Sequence, residues 1–592
     1  MPVPDLEATC AKFLEWVAPL LTEQELCDTR KLIEAFQREE GAKLQARLLT
    51  FASDKTLPNW LESFWLKSYL KYRKPIPVNS NVFYLLDEKP DSTNLSQTQK
   101  AALLITDLFE LNTQIETGKL LPETEQGKPL CMTQYRYLFS TTRIPRLGND
   151  QLKTDRSSSK AAFIAVFSHD QIFKVDICSA EGELKPCWEI ERELQAIVDR
   201  SAIKSSQSDT LPLGVLTTLP RDEWANARDF LVGFSVQNEK VLTVIEEAMF
   251  TLSLDDAKPQ TNLDKVRLLM HGTGRNRWFD KSFQVIVCAD GTAGINTEHS
   301  RIDGSTTSVM LKFLAKKNEQ RSAVTEWKRA VTIETPVPLK LESAPQITQQ
   351  IRVAESKYAD FIGNTAIRVL EFKAFGQQQI KSLKISPDAF VQIAFQIAQY
   401  KAFGRIESTY EAVMTRQFLH GRTETMRPVT TESTQFVKAL VDGSDGCVDK
   451  PRLREYLSRS ASKHISRILQ CKAGEGIERH LFGLQKIYET CGSELGINSL
   501  PALFESRAFQ ALSYNRFSTS TATPVGMCLA GYGPAVEDGY AIRYIIKADQ
   551  INFTLTSRTQ QESNLELFTR QLEQALLDLS LLLKQGAGEF NL

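Results

Sequence analysis

No stretch of this chain is long and apolar enough to cross a bilayer. Its most apolar helical segment, Leu572 to Leu583, is interrupted by Glu573, Gln574, Asp578 and Ser580, and it falls short of the roughly 20 residues a span needs. It reads instead as an amphipathic helix packed on a core. Net charge is also scarce: 71 basic groups against 72 acidic ones leave -1. With no basic tract, the chain lacks the electrostatic footprint of a nucleic-acid binder. Paired cysteines are missing too. The 10 cysteines are scattered without C-x-x-C spacing, which excludes a disulfide scaffold or a zinc module and fits reduced thiols in an intracellular protein. The 6 histidines lie far apart, so no metal site is expected. There is no Gly-x-Ser-x-Gly elbow, no cysteine in a nucleophile motif and no fixed-period repeat. Met1 to Leu6 shows neither a signal nor a transit pattern, and Glu589 to Leu592 is not a peroxisomal tripeptide. These absences set the expectation of a cytoplasmic protein.

The 592 residues exceed what one hydrophobic core supports, so two large domains are the default. The first part has helical periodicity, over Leu6 to Leu20 and Glu23 to Phe36, with Thr22 as an N-cap. Strands are expected at Ala161 to Phe167, Ile172 to Cys178 and Leu213 to Thr217. Ser386-Pro387-Asp388 opens a helix apolar on most faces, with Ser at the cap and Pro in the first turn. Late strands are expected at Tyr540 to Ile546 and Ile551 to Thr556. After an expected helix over Glu319 to Ala330, the Thr335-Pro336-Val-Pro338 stretch is the best boundary, dividing the chain into 1–340 and 341–592.

The stretch richest in chemistry runs from Asn276-Arg-Trp-Phe-Asp-Lys281 to Glu298-His-Ser-Arg-Ile-Asp-Gly304. Between them lie an apolar β-branched run, Ser282 to Cys288, and the turn signal Asp290-Gly291. A hairpin of this kind delivers His299 to the end of a strand, with Asp303 four residues on. A neutral imidazole beside a carboxylate is what a general base needs near neutral pH.

That segment resembles the active-site region of the choline/carnitine acyltransferase family, whose histidine lies in a Glu-His-x-x-x-Asp/Glu-Gly setting. Further matches follow in family order: Asn59-Trp60, Phe64 to Lys67, Pro129-Leu-Cys-Met-x-Gln-Tyr135, Arg143-x-Pro145, Ser386-Pro-Asp-Ala-Phe390, Gly421-Arg-Thr-Glu-Thr-x-Arg427, Arg479-His-Leu-x-Gly-Leu484, Ser518-Thr-Ser520 and Gly533-Pro-x-x-x-Asp-Gly-Tyr540. The resemblance implies an α/β protein: two related mixed-sheet domains, chloramphenicol-acetyltransferase-like, with an active-site tunnel at their interface. It also implies direct, reversible acyl transfer from a thioester to an alcohol, with His299 as the base, Asp303 beside it and Ser520 as oxyanion donor.

Carnitine-type members bind their substrate's carboxylate with a tyrosine, a threonine and an arginine, and the matching positions hold Tyr410, Thr423 and Arg479. Ser518 and Tyr532 match positions near the alcohol's head group. Lys381, Lys384 and Asp388 match the acyl-donor site, where coenzyme A, or a carrier protein's phosphopantetheine, is a co-substrate rather than a tightly bound cofactor. Three positions depart from the pattern. Gln377 replaces a lysine expected to hold the 3′-phosphate. Thr521 stands where Gln is common. Ala530, beside Gly531, replaces the bulky residue that closes the acyl pocket in short-chain members, implying a medium, long or branched acyl group. The expectation is a monomeric carnitine O-acyltransferase. The alternative is an offloading domain of the kind found in fungal polyketide synthases, taking its chain from an acyl carrier protein to a small alcohol or polyol.

Overall fold

The computed structural model describes residues 1–87, 95–155, 162–205, 211–321, 327, 335–445, 449–522 and 524–587. Two mixed sheets organise the molecule. The first has seven strands, in spatial order Met527–Gly531, Val82–Leu86, Ala293–Thr297, Phe283–Cys288, Thr251–Asp255, Phe163–Ser168 and Gln171–Asp176. The second has six, in order Thr365–Phe372, Ile551–Arg558, Tyr540–Ile546, Phe517–Ala522, Thr409–Met414 and Thr423–Met426. Each sheet combines parallel and antiparallel neighbours, and helices cover them, so the fold is α/β.

The chain crosses between the two sheets more than once. Met527–Gly531 lies far along the sequence yet pairs antiparallel with Val82–Leu86 at the edge of the first sheet. At the other end of the chain, helices Leu6–Val17, Glu23–Arg38 and Glu40–Ala52 share an apolar cluster with Leu481, Leu484, Ile487, Phe504 and Leu512. Their amphipathic stripes announce a packed face, and the partner lies over four hundred residues away in the chain.

Local chemistry sets the element ends. Thr22 and Glu25 form a reciprocal capping box, satisfying two amides at the start of Glu23–Arg38. Ser386 accepts from the Ala389 amide, with Pro387 in the first turn of the helix Pro387–Phe403. Every residue from Ala389 to Gln399 is buried, packed between the second sheet and the closing helix Glu562–Ala587. Phe403, Phe517, Tyr540 and Phe568 stack there at centroid separations of 4.8–6.3 Å. Removing one such ring would cost about 3–5 kcal/mol.

Three sequence-based boundaries shift. The first helix ends at Val17 and tightens into a 3₁₀ turn over Ala18–Leu20, where Pro19 lacks the amide an α-helix needs. Leu213 to Thr217 is not a strand but part of a buried 3₁₀ segment, Leu213–Thr218. There the Thr217 and Thr218 hydroxyls donate back to the Gly214 and Val215 carbonyls, a local alternative to a ladder. Of the helix expected over Glu319 to Ala330, Glu319 and Gln320 close the helix Gly304–Gln320 and Arg321 caps it, while 322–326 and 328–330 lie outside the described residues. The strands expected near Ala161, Ile172, Tyr540 and Ile551 run over Phe163–Ser168, Gln171–Asp176, Tyr540–Ile546 and Ile551–Arg558, with residue 161 undescribed.

Candidate active site

Phe283–Cys288 and Ala293–Thr297 pair antiparallel from Phe283–Thr297 to Val287–Ala293. His299 follows two residues beyond the second strand, so the sheet fixes where the loop begins. Arg143 then holds that loop. Its Nη1 donates to Glu298 Oε1 at 3.1 Å, its Nε to Asp150 Oδ2 at 2.7 Å and its Nη2 to the Tyr69 carbonyl at 2.7 Å. Glu298 in turn accepts from the Ser300 amide and hydroxyl at 3.0 and 2.6 Å. One buried guanidinium thus fixes both the residue before His299 and the helix that carries Tyr69. The Tyr69 ring lies against the imidazole, with centroids 5.7 Å apart.

Asp303 stands behind His299, with Oδ1 at 3.6 Å from Nδ1. That is beyond hydrogen-bond reach, so the carboxylate acts on the ring through its field. Arg422 grips Asp303 at both oxygens, at 2.7 and 2.9 Å, and also donates to the His299 and Ser300 carbonyls. Gln134 donates to Asp303 Oδ2 at 2.8 Å and accepts from the Asp303 amide at 2.9 Å. Asp303 therefore occupies the N-cap position of the helix Gly304–Gln320 with its carboxylate committed elsewhere. Burial pushes the His299 imidazole below its ordinary value; Asp303 pulls it up and Arg422 pushes it down. Burial raises the Asp303 carboxyl, but Arg422, with His299 and Gln134 adding to it, holds Asp303 below the usual carboxylate range. A neutral base beside an ionised carboxylate results.

A cavity of about 370 Å³ opens between the two sheets, and His299 lines it. Helix Trp60–Leu70, capped by Asn59, turns Trp65, Ser68 and Tyr69 toward it at three- and four-residue spacing. From the second sheet come Tyr410, Ser518, Ser520 and Arg543, with Tyr532 beyond Met527–Gly531. The Ser518-Thr519-Ser520 stretch lies in a strand: Phe517–Ala522 runs parallel to both Thr409–Met414 and Tyr540–Ile546. Tyr532 donates to the Ser518 carbonyl at 3.2 Å.

Arg479 and Thr423 meet beside the cavity. Arg479 Nε donates to the Thr423 carbonyl at 2.8 Å and Nη2 to its hydroxyl at 3.4 Å. The guanidinium lies 4.0 Å above the Trp65 ring, and its charge is felt at the buried Tyr410 hydroxyl. The acidic residues nearest in sequence are engaged elsewhere: Glu475, in the turn before the helix Glu478–Cys491, pairs with Lys12, and Glu478 pairs with Arg427.

The remaining expected residues fall differently. Ala530 is 1% exposed and lies directly across from Tyr84 in the pairing of the two edge strands. The Tyr84 ring lines the cavity while Ala530 is packed in the core with it. At Gly531 a Cβ would come within 2.8 Å of the Phe83 ring. Lys381 and Lys384 are exposed around the end of the short helix Gln377–Ser382. Asp388 accepts from Tyr544 at 2.6 Å and lies 3.0 Å from His464 Nε2, while Tyr544 also bonds Glu411 at 2.9 Å. Asp388, Glu411 and His464 form the one group with metal-ligand chemistry among the described residues, their atoms within 4.8 Å. Burial and the Asp388 charge push the Glu411 carboxyl well up, so it keeps its proton and suits a shared-proton pair better than a cation.

Sequence reasoning quoted the motifs of Arg143, Gln134 and Arg422 without giving these residues a role, and it passed over Tyr69, Tyr84 and Arg543. A lone arginine within the apolar run Tyr540 to Ile546 was the readable signal for the last.

The family model for choline/carnitine O-acyltransferases matches residues 1–574. Rat carnitine O-acetyltransferase is 32% identical over 603 residues, covering 99% of this chain and 93% of that protein. The human carnitine O-acetyltransferase is 31% identical over the same shares. The bovine mitochondrial carnitine O-palmitoyltransferase 2 is 29% identical, covering 98% of this chain and 91% of its own length.

Proposed function

The chain belongs to the choline/carnitine O-acyltransferase family and is an acyltransferase, and from that premise we propose that it moves an acyl group between a coenzyme A thioester and the hydroxyl of carnitine. The observation that carries the choice of alcohol is Arg479. Its buried guanidinium makes no ion pair with a carboxylate among the described residues, Glu424 and Glu478 acting on it only from farther off, and it sits with Thr423 and Tyr410. Carnitine's carboxylate supplies the missing anion, matched by the planar fork of arginine. Choline has none to offer.

The chemistry then runs as one direct step in each direction. His299 takes the alcohol's proton as its oxygen attacks the thioester carbonyl, and later gives that proton to the leaving thiolate. Ser520 donates to the oxyanion, a contact of a kind that contributes about 2.7–4 kcal/mol. Ser518 and Tyr532 contact the alcohol's head group, where a ring face attracts a trimethylammonium. Lys381, Lys384 and Asp388 serve the donor's phosphopantetheine end. Ala530 and Gly531 are the basis for a medium, long or branched acyl group; the Tyr84 ring opposite Ala530 favours a compact one. Gln377, in place of a phosphate-binding lysine, favours a second reading, in which the donor rides on an acyl carrier protein. The unpaired Arg479 weighs for the first.

The test is transfer from acetyl-, butyryl-, octanoyl- and palmitoyl-CoA to L-carnitine, choline and glycerol, with His299→Ala as control. Rapid transfer to carnitine that falls by about two to four orders of magnitude in His299→Ala is expected. Transfer to glycerol alone, or only from carrier-bound acyl groups, would overturn it in favour of offloading.

A further inference from the structure

Ten arginines are buried among the described residues. Eight of them pair with a carboxylate: Arg143, Arg221, Arg277, Arg416, Arg422, Arg427, Arg467 and Arg558. The two without one are Arg479, to which the proposed function already gives the acceptor's carboxylate, and Arg543. A buried charge left unpaired is costly, so an unpaired arginine at a cavity wall points to a ligand that completes it.

Arg543 is 7% exposed and lies at the cavity beside Ser520, its register partner in the neighbouring parallel strand. Nη1 donates to Ser520 Oγ, and the buried Nε has no partner. On the guanidinium's other side is the start of the 17-residue helix Gly304–Gln320. A Cβ built at Gly304 would lie 3.1 Å from Arg543 Nη2 and 3.4 Å from the Tyr84 hydroxyl, so the helix start, the guanidinium and the hydroxyl lie close together. A helix N-terminus and a guanidinium both present positive charge, and the nearby Asp303 carboxylate is already held by Arg422 and Gln134. The place is built for an anion and holds none of its own.

We propose that Arg543, with the N-terminus of Gly304–Gln320 and the Tyr84 hydroxyl, binds a carboxylate on the acyl group itself, making the donor a mono-thioester of a short dicarboxylic acid. This rests on the reading of Ser520 as the oxyanion donor, which puts the acyl group on this side of the cavity. A guanidinium one hydrogen bond from Ser520, itself one hydrogen bond from the carbonyl oxygen, reaches a group about 4–6 Å from the carbonyl carbon. That is the span of a succinyl or glutaryl tail, and too short for the end of a palmitoyl chain. In the transfer the acyl carbon exchanges its C–S bond for a C–O bond. The alcohol's proton passes through His299 to the thiolate, and the distal carboxylate is unchanged.

Binding of S-succinyl and S-butyryl pantetheine, measured calorimetrically on the full chain without any alcohol, separates this idea from the choice of acceptor and of carrier. The unaltered protein should bind the succinyl thioester at least tenfold more tightly. Arg543→Met should bind the two alike, and Arg543→Lys should keep the preference. Equal binding by the unaltered protein, or a preference for butyryl, would overturn the proposal. So would an Arg543→Met variant that keeps the succinyl preference, or one that weakens both thioesters equally; the latter would confine Arg543 to orienting Ser520. Failure to acylate carnitine in a separate assay would sink the acceptor reading and leave this one standing.

Discussion

Arg422 holds Asp303 by both carboxylate oxygens, at 2.7 and 2.9 Å, and reaches past it to the carbonyls of His299 and Ser300. The carboxylate behind the imidazole is therefore set from the second sheet, while the imidazole is delivered by the first. His299 and Asp303 come from one segment, and Arg422 joins it from the position just before Thr423–Met426 of the second sheet. Arg422 touches no reacting atom; it positions.

Removing that grip should show as both instability and slow turnover. Arg422→Ala leaves Asp303 buried and unpaired, which costs about 3–5 kcal/mol, measurable by chemical denaturation. Turnover should fall well beyond what the residual folded fraction explains, with the KM for carnitine little changed. Arg422→Lys keeps the charge without the fork and should recover part of the stability but less of the turnover. Full activity in a folded Arg422→Ala protein would show that Asp303 needs no anchor.

The pH profile follows from the state of His299. The base form is required, and burial places its titration below the ordinary imidazole value of about 6.5. Turnover should hold through neutral pH and be lost as pH falls through that lowered value. Asp303 pulls His299 up, so Asp303→Asn should move the acid limb to still lower pH while reducing the plateau. A limb that moves toward neutrality instead would mean that Asp303 does not act on the imidazole through its field. His299→Ala should remove about two to four orders of magnitude of rate.

Arg479 gives a separable prediction for the acceptor. Arg479→Gln removes a charged hydrogen-bond partner worth about 1.5–3 kcal/mol. The KM for carnitine should therefore rise by about one to two orders of magnitude, with turnover at saturation less affected. Choline, lacking the carboxylate, should be used no worse, and relatively better, by the variant. An unchanged carnitine KM would remove the carboxylate assignment.

Much of the hairpin that carries His299 was legible, because an apolar β-branched run, an Asp-Gly turn and a second extended run leave little choice of local structure. The capped helices at Thr22 and Ser386 were legible for the same local reason. What holds the histidine was not. Gln134 and Arg422 reach Asp303 from 169 and 119 residues away, and no periodicity reports such a meeting. Arg543 and Tyr84 sit in strands buried at every position, so the polar–apolar alternation that marks a half-exposed face is missing. Leu213 to Thr217 misled because a short apolar run reads alike as strand or tight turn, and only the hydroxyl bonds back to Gly214 and Val215 decide it.

The edge-strand pair of Ala530 and Tyr84 gives the last prediction, on acyl length. Ala530 is small, but the Tyr84 ring across the strand pair lies in the same core and lines the cavity. Filling the alanine should overpack that ring: Ala530→Met alone should destabilise by about 1–3 kcal/mol and depress activity on every donor, short ones included. Tyr84→Ala instead removes the ring that faces the cavity. It should open room for longer tails, raising octanoyl transfer relative to acetyl, each added buried methylene contributing about 0.8 kcal/mol. Combining the two should let the methionine settle where the ring was, recovering stability and restoring short-chain preference. If Ala530→Met leaves acetyl transfer and stability untouched while abolishing octanoyl transfer, then Ala530, not Tyr84, sets the end of the acyl pocket.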